Sequence, residues 1–290
     1  MFAIIKQMKS TEQSPLIIGF ITDLIFQSKI EPGVEKSGYR LIWIEDAGKI
    51  VANNPDYPSE DLGKRLDSPG ADLIDQLTAW RPALLLFDLD NSGIPWRQWI
   101  PLLKSNPATR RIPIVCYGSH IAADSFHAAR AAGADLVTAR SNFSMDPGKI
   151  ISQHIRIQDL EATATACLEP LSAPALKGLQ LFNQGEYFEA HEFLEEAWKE
   201  DHSAGRDLYQ AVLQVAVAYL QIERGNFDGA IKMFWRLRQW IDPLPDECRG
   251  VNVSRLRDDS QNVYLAIREA GRDRIAEFDR RLFRPVEYSG

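Results

Sequence analysis

Along the first half of the chain, short apolar runs alternate with longer stretches of mixed polarity. The runs at 16–21, 40–44, 83–87, 112–117 and 136–138 are rich in Ile, Val, Leu and Phe. Between them, 24–36, 71–80, 96–104, 120–132 and 147–157 place apolar side chains at the spacing of an amphipathic helix. Apolar strands separated by helices predict a parallel sheet covered on both faces. Five such strands make a flavodoxin-like, doubly wound α/β domain, with any site at the carboxyl ends of the strands. The stretch 48–70, rich in Asp, Pro, Ser and Gly, reads as an exposed loop.

The pattern changes after residue 158. Segment 159–174 carries Ala-Thr repeats, Pro170 and Pro174 and few large apolar side chains, and reads as a linker. The last helix of the α/β half is expected to run into it, since 157–167 contains no breaker. From 175 to 290 only helical periodicity remains, over 175–183, 187–200, 206–224, 227–241 and 255–270, with a further helix at 272–282. Gly185, Gly225 and Gly271 stand where turns are needed, and Pro243 and Pro245 close the fourth helix. Asn183-Gln184-Gly185-Glu186-Tyr187-Phe188-Glu189-Ala190 is echoed by Glu223-Arg224-Gly225-Asn226-Phe227-Asp228-Gly229-Ala230. Gly for the turn, an aromatic two residues on and Ala at a helix contact follow the logic of tetratricopeptide-like hairpins. The expected organisation is an α/β domain over 14–158, a linker over 159–174 and a helical bundle over 175–290.

Composition narrows the function. Apolar residues make up 45% and charged residues 25%, ordinary for a globular chain. The net charge of −7 argues against nucleic acid or an anionic membrane as partner. The Arg-rich stretch 236–290 does not reverse this, with 11 Arg against 10 Asp plus Glu. Cys116, Cys167 and Cys248 are far apart with no C-x-x-C, which predicts buried or idle thiols in a reducing cytosol. The apolar start is followed, not preceded, by Lys6 and Lys9, and Asp23 interrupts the longest apolar stretch. Neither a signal peptide nor a membrane span is expected, and the expected location is the cytoplasm.

Local wording in the first half resembles the response-regulator receiver domain. Gly38-Tyr39 opens the second strand, and Arg81-Pro82-Ala83-Leu84-Leu85-Leu86-Phe87-Asp88-Leu89 is similar to the third. Arg111-Ile112-Pro113-Ile114-Val115 matches the fourth, and Ala131-Ala132-Gly133-Ala134-Asp135 precedes the fifth. The resemblance implies that Asp88 occupies the phosphoacceptor position. Acceptor chemistry needs a carboxylate cluster holding Mg²⁺. The positions after the first strand are Ile21 and Thr22, leaving Asp23 as carboxylate partner. The hydroxyl position falls on Gly118 or Ser119, and the lysine position on Arg140, followed by Ser141. These departures imply a pseudo-receiver, a signalling fold kept for docking or dimerisation.

The second half resembles the helical family known as domain of unknown function 309. The shared pattern is Phe182-Asn183-x-Gly185-x-Tyr187-x-x-Ala190-His191-Glu192-x-x-Glu195-x-x-Trp198, then Arg206, Gln210-x-x-x-Gln214-x-Ala216 and Arg224-Gly225-Asn226-x-x-Gly229-Ala230. The resemblance implies a fold and no activity. Tyr187, His191, Glu195 and Trp198 share a helix face. An imidazole and a carboxylate four residues apart serve either a buried polar network or a metal. The network would join His191 and Glu195 to Gln210 and Gln214, with Arg206 neutralising the carboxylate. The metal would be a transition ion on His191 and Glu195, with Glu192 about 100° round the helix from His191.

Three functions follow from these residues. The leading expectation is a non-catalytic regulatory or scaffold protein that binds a protein partner or a ligand, with homodimerisation open and no cofactor required. The second is a phosphorelay output protein using Asp88 and Asp23 with Mg²⁺. The third is a metal-dependent hydrolase centred on His191, Glu192 and Glu195.

Overall fold

Five strands form one all-parallel sheet: β1 (Leu16–Phe20), β2 (Arg40–Trp43), β3 (Leu84–Asp88), β4 (Ile114–Gly118) and β5 (Leu136–Ala139), in the order β2-β1-β3-β4-β5. This is the flavodoxin-like order, whose switch point lies between β1 and β3. The computed structural model describes residues 14–52, 69–119 and 123–289. The chain divides into two units, the first ending at Ile157 and the second beginning at Gln158.

Strands β1, β3 and β4 are buried throughout, which explains their uninterrupted apolar wording. Alternation sends Ile17, Ile21, Leu84 and Leu86 to one face, where they meet Phe26, Ile30 and Val34 of helix α1 (Leu24–Lys36). On the opposite face Phe20 stacks on Phe87 with centroids 4.4 Å apart and meets Trp99 edge-on. Trp99 belongs to α4 (Trp96–Ser105), which follows α2 (Gly48–Ala52) and α3 (Pro69–Trp80). The expected loop at 48–70 therefore contains a helical turn, started where Asp46 accepts a hydrogen bond from the Gly48 amide at 2.8 Å. Residues 53–68 lie outside the described residues.

Helix α5 (Ala123–Ala131) precedes β5; two short helices, α6 (Arg140–Met145) and α7 (Pro147–His154), follow it. The α6 turn was not foreseen; it inserts Phe143 fully into the core against Tyr117. Nor does the last helix run on past the α/β unit. After α7 the Arg156 amide donates to Ala83 O at 3.1 Å, and a new helix, α8 (Leu160–Ala166), starts where Asp159 caps the Ala162 amide.

The second unit contains α8, α9 (Ala173–Asn183), α10 (Tyr187–Glu200), α11 (Asp207–Glu223), α12 (Phe227–Ile241) and α13 (Val253–Ala270). Helices α9 to α12 pack each on the next. The echoed sequence has an echoed structure. Gly185 and Gly225 take φ of +85° and +68°, and the residue after each donates back five positions, Glu186 to Leu181 O and Asn226 to Gln221 O. Both turns are Schellman closures, in which a left-handed glycine satisfies the last carbonyls of a helix. Ala190 and Ala230 are fully buried where the helices meet.

Three expectations for this unit are corrected. Strands do occur, as a hairpin of β6 (Glu247–Cys248) and β7 (Val251–Asn252) turned by Arg249 and Gly250, both at positive φ. That turn brings Cys248 to the end of α8, where it forms a disulfide with Cys167, so these two cysteines are not idle thiols. The segment 272–282 is not one α-helix but two short 3-10 helices, Arg272–Glu277 and Arg280–Leu282. Stacking of Phe283 on Tyr219, with centroids 4.0 Å apart, draws the chain out of helical register. Among the described residues no helix is long and apolar enough to cross a membrane.

Candidate functional site

At the carboxyl end of β3, Asp88 is 2% exposed, and its neighbours decide its chemistry. One carboxylate oxygen accepts from the Asp90 amide at 3.0 Å. The other lies 2.7 Å from Nη2 of Arg140. The same guanidinium reaches Asp23 at 3.1 Å through Nη1 and Asp90 at 3.4 Å through Nη2. Three carboxylates thus converge on one cation that the chain itself supplies.

Local structure puts each group there. Asp23 follows β1 and caps α1 by accepting from the Phe26 amide at 3.0 Å. Asp90 lies in the turn after β3 and is held by the Ser119 amide, at the end of β4, at 2.8 Å. Asn91 ties that turn to the Phe20 and Glu45 carbonyls. Arg140 opens α6 at the end of β5, and its guanidinium lies over the rings of Phe26 and Tyr117, 5.2 Å and 5.6 Å from their centroids. These aromatic faces form a shelf that a planar cation suits better than a compact ammonium.

Burial raises the Asp88 pKa, outweighing the Asp90 amide and Arg140, which lower it. Burial likewise raises that of the Tyr117 phenol, with the Asp88 charge adding to it. A cleft of about 620 Å³ opens beside the cluster, lined by Asp23, Ile25, Lys29, Asp90, Arg140 and Ser144 among others. Asp90 was not singled out in the sequence, although Asp88-Leu89-Asp90 places a second carboxylate one turn position beyond the strand. Asp23 is accordingly not the sole carboxylate near Asp88.

The helical unit arranges its candidates differently from the expected network. Glu195 is 41% exposed at its side chain and pairs with Lys199 at 3.2 Å. His191 is half-buried, and Glu192 is exposed. Gln210 and Gln214 are buried and bond each other, Nε2 of Gln214 donating to Oε1 of Gln210 at 3.2 Å. Arg206 lies over the Trp198 ring at 5.3 Å and donates to the Asp201 carbonyl, so it does not neutralise Glu195. One turn of helix suffices for Glu195 to find Lys199, and this local pair wins over a partner on another helix. Among the described residues no group of three His, Cys, Asp or Glu side chains could hold a metal ion, so the ligand set expected around His191 and Glu195 is not assembled. Gln214 Oε1 and Trp198 Nε1 are buried without hydrogen-bond partners among the described residues.

Tyr187 is buried among aromatics, 5.3 Å from Phe182, 5.4 Å from Tyr219 and 6.0 Å from Phe283. Burial, with Glu223 nearby, pushes its phenol up to about 12. Arg249, which sequence reasoning missed, is buried in the hairpin turn. It donates to the Tyr209 hydroxyl and to Ser203 at 2.8 Å, and pairs with Asp201 at 2.8 Å.

Comparison with known proteins gives results for both halves. Residues 175–233 match the family model described as Domain of unknown function (DUF309). Among solved structures, the chain is similar to a response regulator receiver domain from Rhodospirillum rubrum, at 20% identity and a TM-score of 0.36, over 47% of this chain and 89% of that one. It is also similar to the receiver domain of a sensor histidine kinase from Pseudomonas aeruginosa, at 14% identity and a TM-score of 0.36, over 49% of this chain and 97% of that one. A response regulator from Hahella chejuensis matches at 15% identity and a TM-score of 0.36, over 48% and 92% of the respective chains. No curated protein matches the chain. The α/β unit has the five-stranded parallel sheet and strand order of the flavodoxin-like fold.

Proposed function

We propose that this chain is a regulatory or scaffold protein in which a pseudo-receiver serves docking or dimerisation and the helical unit binds a partner or ligand. The observation that carries this reading is the single guanidinium of Arg140 bridging Asp88, Asp23 and Asp90. A divalent cation in an acceptor site must meet the same carboxylates, and the guanidinium already contacts all three. Phosphoryl transfer to Asp88 would require Arg140 to withdraw from all three. The phosphorelay alternative therefore needs a rearrangement, whereas the docking role needs none. In the helical unit, the unpaired Gln214 acceptor and Trp198 donor are consistent with binding of a polar group. A cytoplasmic setting is compatible with the disulfide, because Cys167 and Cys248 are both buried and thiol exchange needs access to a sulfur.

The test is exposure of the full chain to a small-molecule phosphodonor with Mg²⁺, followed by mass analysis of the peptide containing Asp88. Unmodified Asp88 is expected; a stoichiometric aspartyl phosphate would overturn the pseudo-receiver assignment.

A further inference from the structure

The family pattern in the helical unit begins with Phe182-Asn183, and these residues act on the end of the chain. Asn183 Nδ2 donates to the Val286 carbonyl at 2.9 Å, and the Val286 amide donates to Asn183 Oδ1 at 2.7 Å. A carboxamide that takes both the donor and the acceptor of one residue reads an extended backbone whatever its side chain. Three residues earlier, Phe283 stacks on Tyr219 and meets Tyr187 edge-on. Phe182 closes the same aromatic group, 5.7 Å from Tyr219.

Beyond Val286 the segment continues as a peptide laid on the hairpin. Asn252 donates to the Glu287 carbonyl at 2.9 Å, the Ser289 amide donates to Gly250 O at 2.8 Å, and Val251 bridges to Tyr288 as an antiparallel pair. The segment joins the bundle through Gly271, at φ +72°, where an added Cβ would meet nothing within 4 Å. Val286 is buried, yet after Gly271 the segment has only short turns and no long helix of its own. Its hold comes from side-chain anchors and backbone pairing, the means by which a domain holds a bound peptide.

We infer that the face formed by Phe182, Asn183, Tyr187 and Tyr219, with the edge of the β6–β7 hairpin, is a peptide-binding groove that the chain's own residues 283–288 occupy in cis. Its partner is an extended peptide segment with an aromatic residue followed three positions on by an aliphatic one, as Phe283 and Val286 are arranged here. Such a partner displaces the C-terminal strap, so docking and strap release are one equilibrium. This deepens the partner-binding role proposed for the helical unit, and its readout is separate from that at Asp88.

The probe is a fluorescent peptide of residues 278–289, followed by anisotropy against the full chain and its Phe283→Ala/Val286→Ala variant. The variant, with weakened anchors, is expected to bind saturably, and the unaltered chain at least about tenfold more weakly, because the tethered strap competes at high effective concentration. Adding Asn183→Ala to the variant should weaken binding a further tenfold or more, by the loss of two part-buried hydrogen bonds to backbone. A cooperatively folded variant that leaves the peptide free at millimolar concentration would overturn the inference, as would binding indifferent to Asn183. Hydrogen exchange of the unaltered chain gives a second readout. The Val286 amide should exchange at least about a hundredfold faster than that of Val215 in α11, through local release of the strap. Equal protection, or loss of cooperative unfolding in the double variant, would make the strap part of the core and overturn the groove.

Discussion

Arg140 Nη2 and Asp88 Oδ2 lie 2.7 Å apart, and they come from the ends of β5 and β3. This pair joins the fold to its chemistry. The sheet order places the ends of β1, β3 and β5 around one depression, and the side chain at the end of β5 reaches across it to the acidic group at the other two.

Removing the guanidinium should destabilise the α/β unit. Arg140→Ala leaves Asp88 buried beside Asp23 and Asp90 without a counter-charge, at an expected cost of about 1–3 kcal/mol, moderated because Asp88 can take up a proton. Arg140→Lys should recover only part of it, since an ammonium lacks the planar fork that spans the carboxylates while lying over Phe26 and Tyr117. Urea unfolding at neutral pH measures both.

Asp88 also sets a pH dependence whose sign follows from burial. Its native pKa is raised above the ordinary value of 3.8, so between the two values the native state holds a proton that the unfolded chain releases. Stability contributed by this group is therefore complete below pH 3.8 and is lost as pH rises through the native value. Asp88→Asn removes the titration. The stability of this variant relative to the unaltered chain should be greater at pH 7 than at pH 4, as measured by unfolding curves at the two values.

The disulfide ties α8 to the hairpin across 81 residues. Replacing both cysteines with serine should cost about 2–4 kcal/mol, largely by freeing the unfolded chain. Denaturant unfolding of the double variant, compared with the oxidised parent, checks this.

Glu195 provides the opposite case. It is a half-exposed member of an i, i+4 pair, so Glu195→Ala should change stability by less than about 1 kcal/mol. A thermal melt is enough to test it.

Much of this architecture was legible from periodicity. The apolar runs around Ile17, Leu85 and Val115 are strands because both faces of the sheet are covered, and α10 and α12 begin where Tyr187, Phe227 and the glycine turns before them place them. Local wording could not show which distant groups meet. Arg140 stands 52 residues from Asp88 in sequence, and Cys167 stands 81 from Cys248. The hairpin at Arg249 was hidden because its strands are two residues each, too short for any alternation. Segment 272–282 has helical wording, but the Phe283–Tyr219 stack overrides it. The network imagined around His191 failed for a simpler reason: Lys199 was the nearer partner of Glu195.

Metal binding by the full chain reports whether Arg140 holds the acidic cluster closed to a cation. Calorimetric titration with Mg²⁺ or Mn²⁺ should give no saturable site in the unaltered chain, where Arg140 bridges Asp23, Asp88 and Asp90, and should reveal a weak site in Arg140→Ala. A single stoichiometric site in the unaltered chain, abolished by Asp88→Asn, would contradict it.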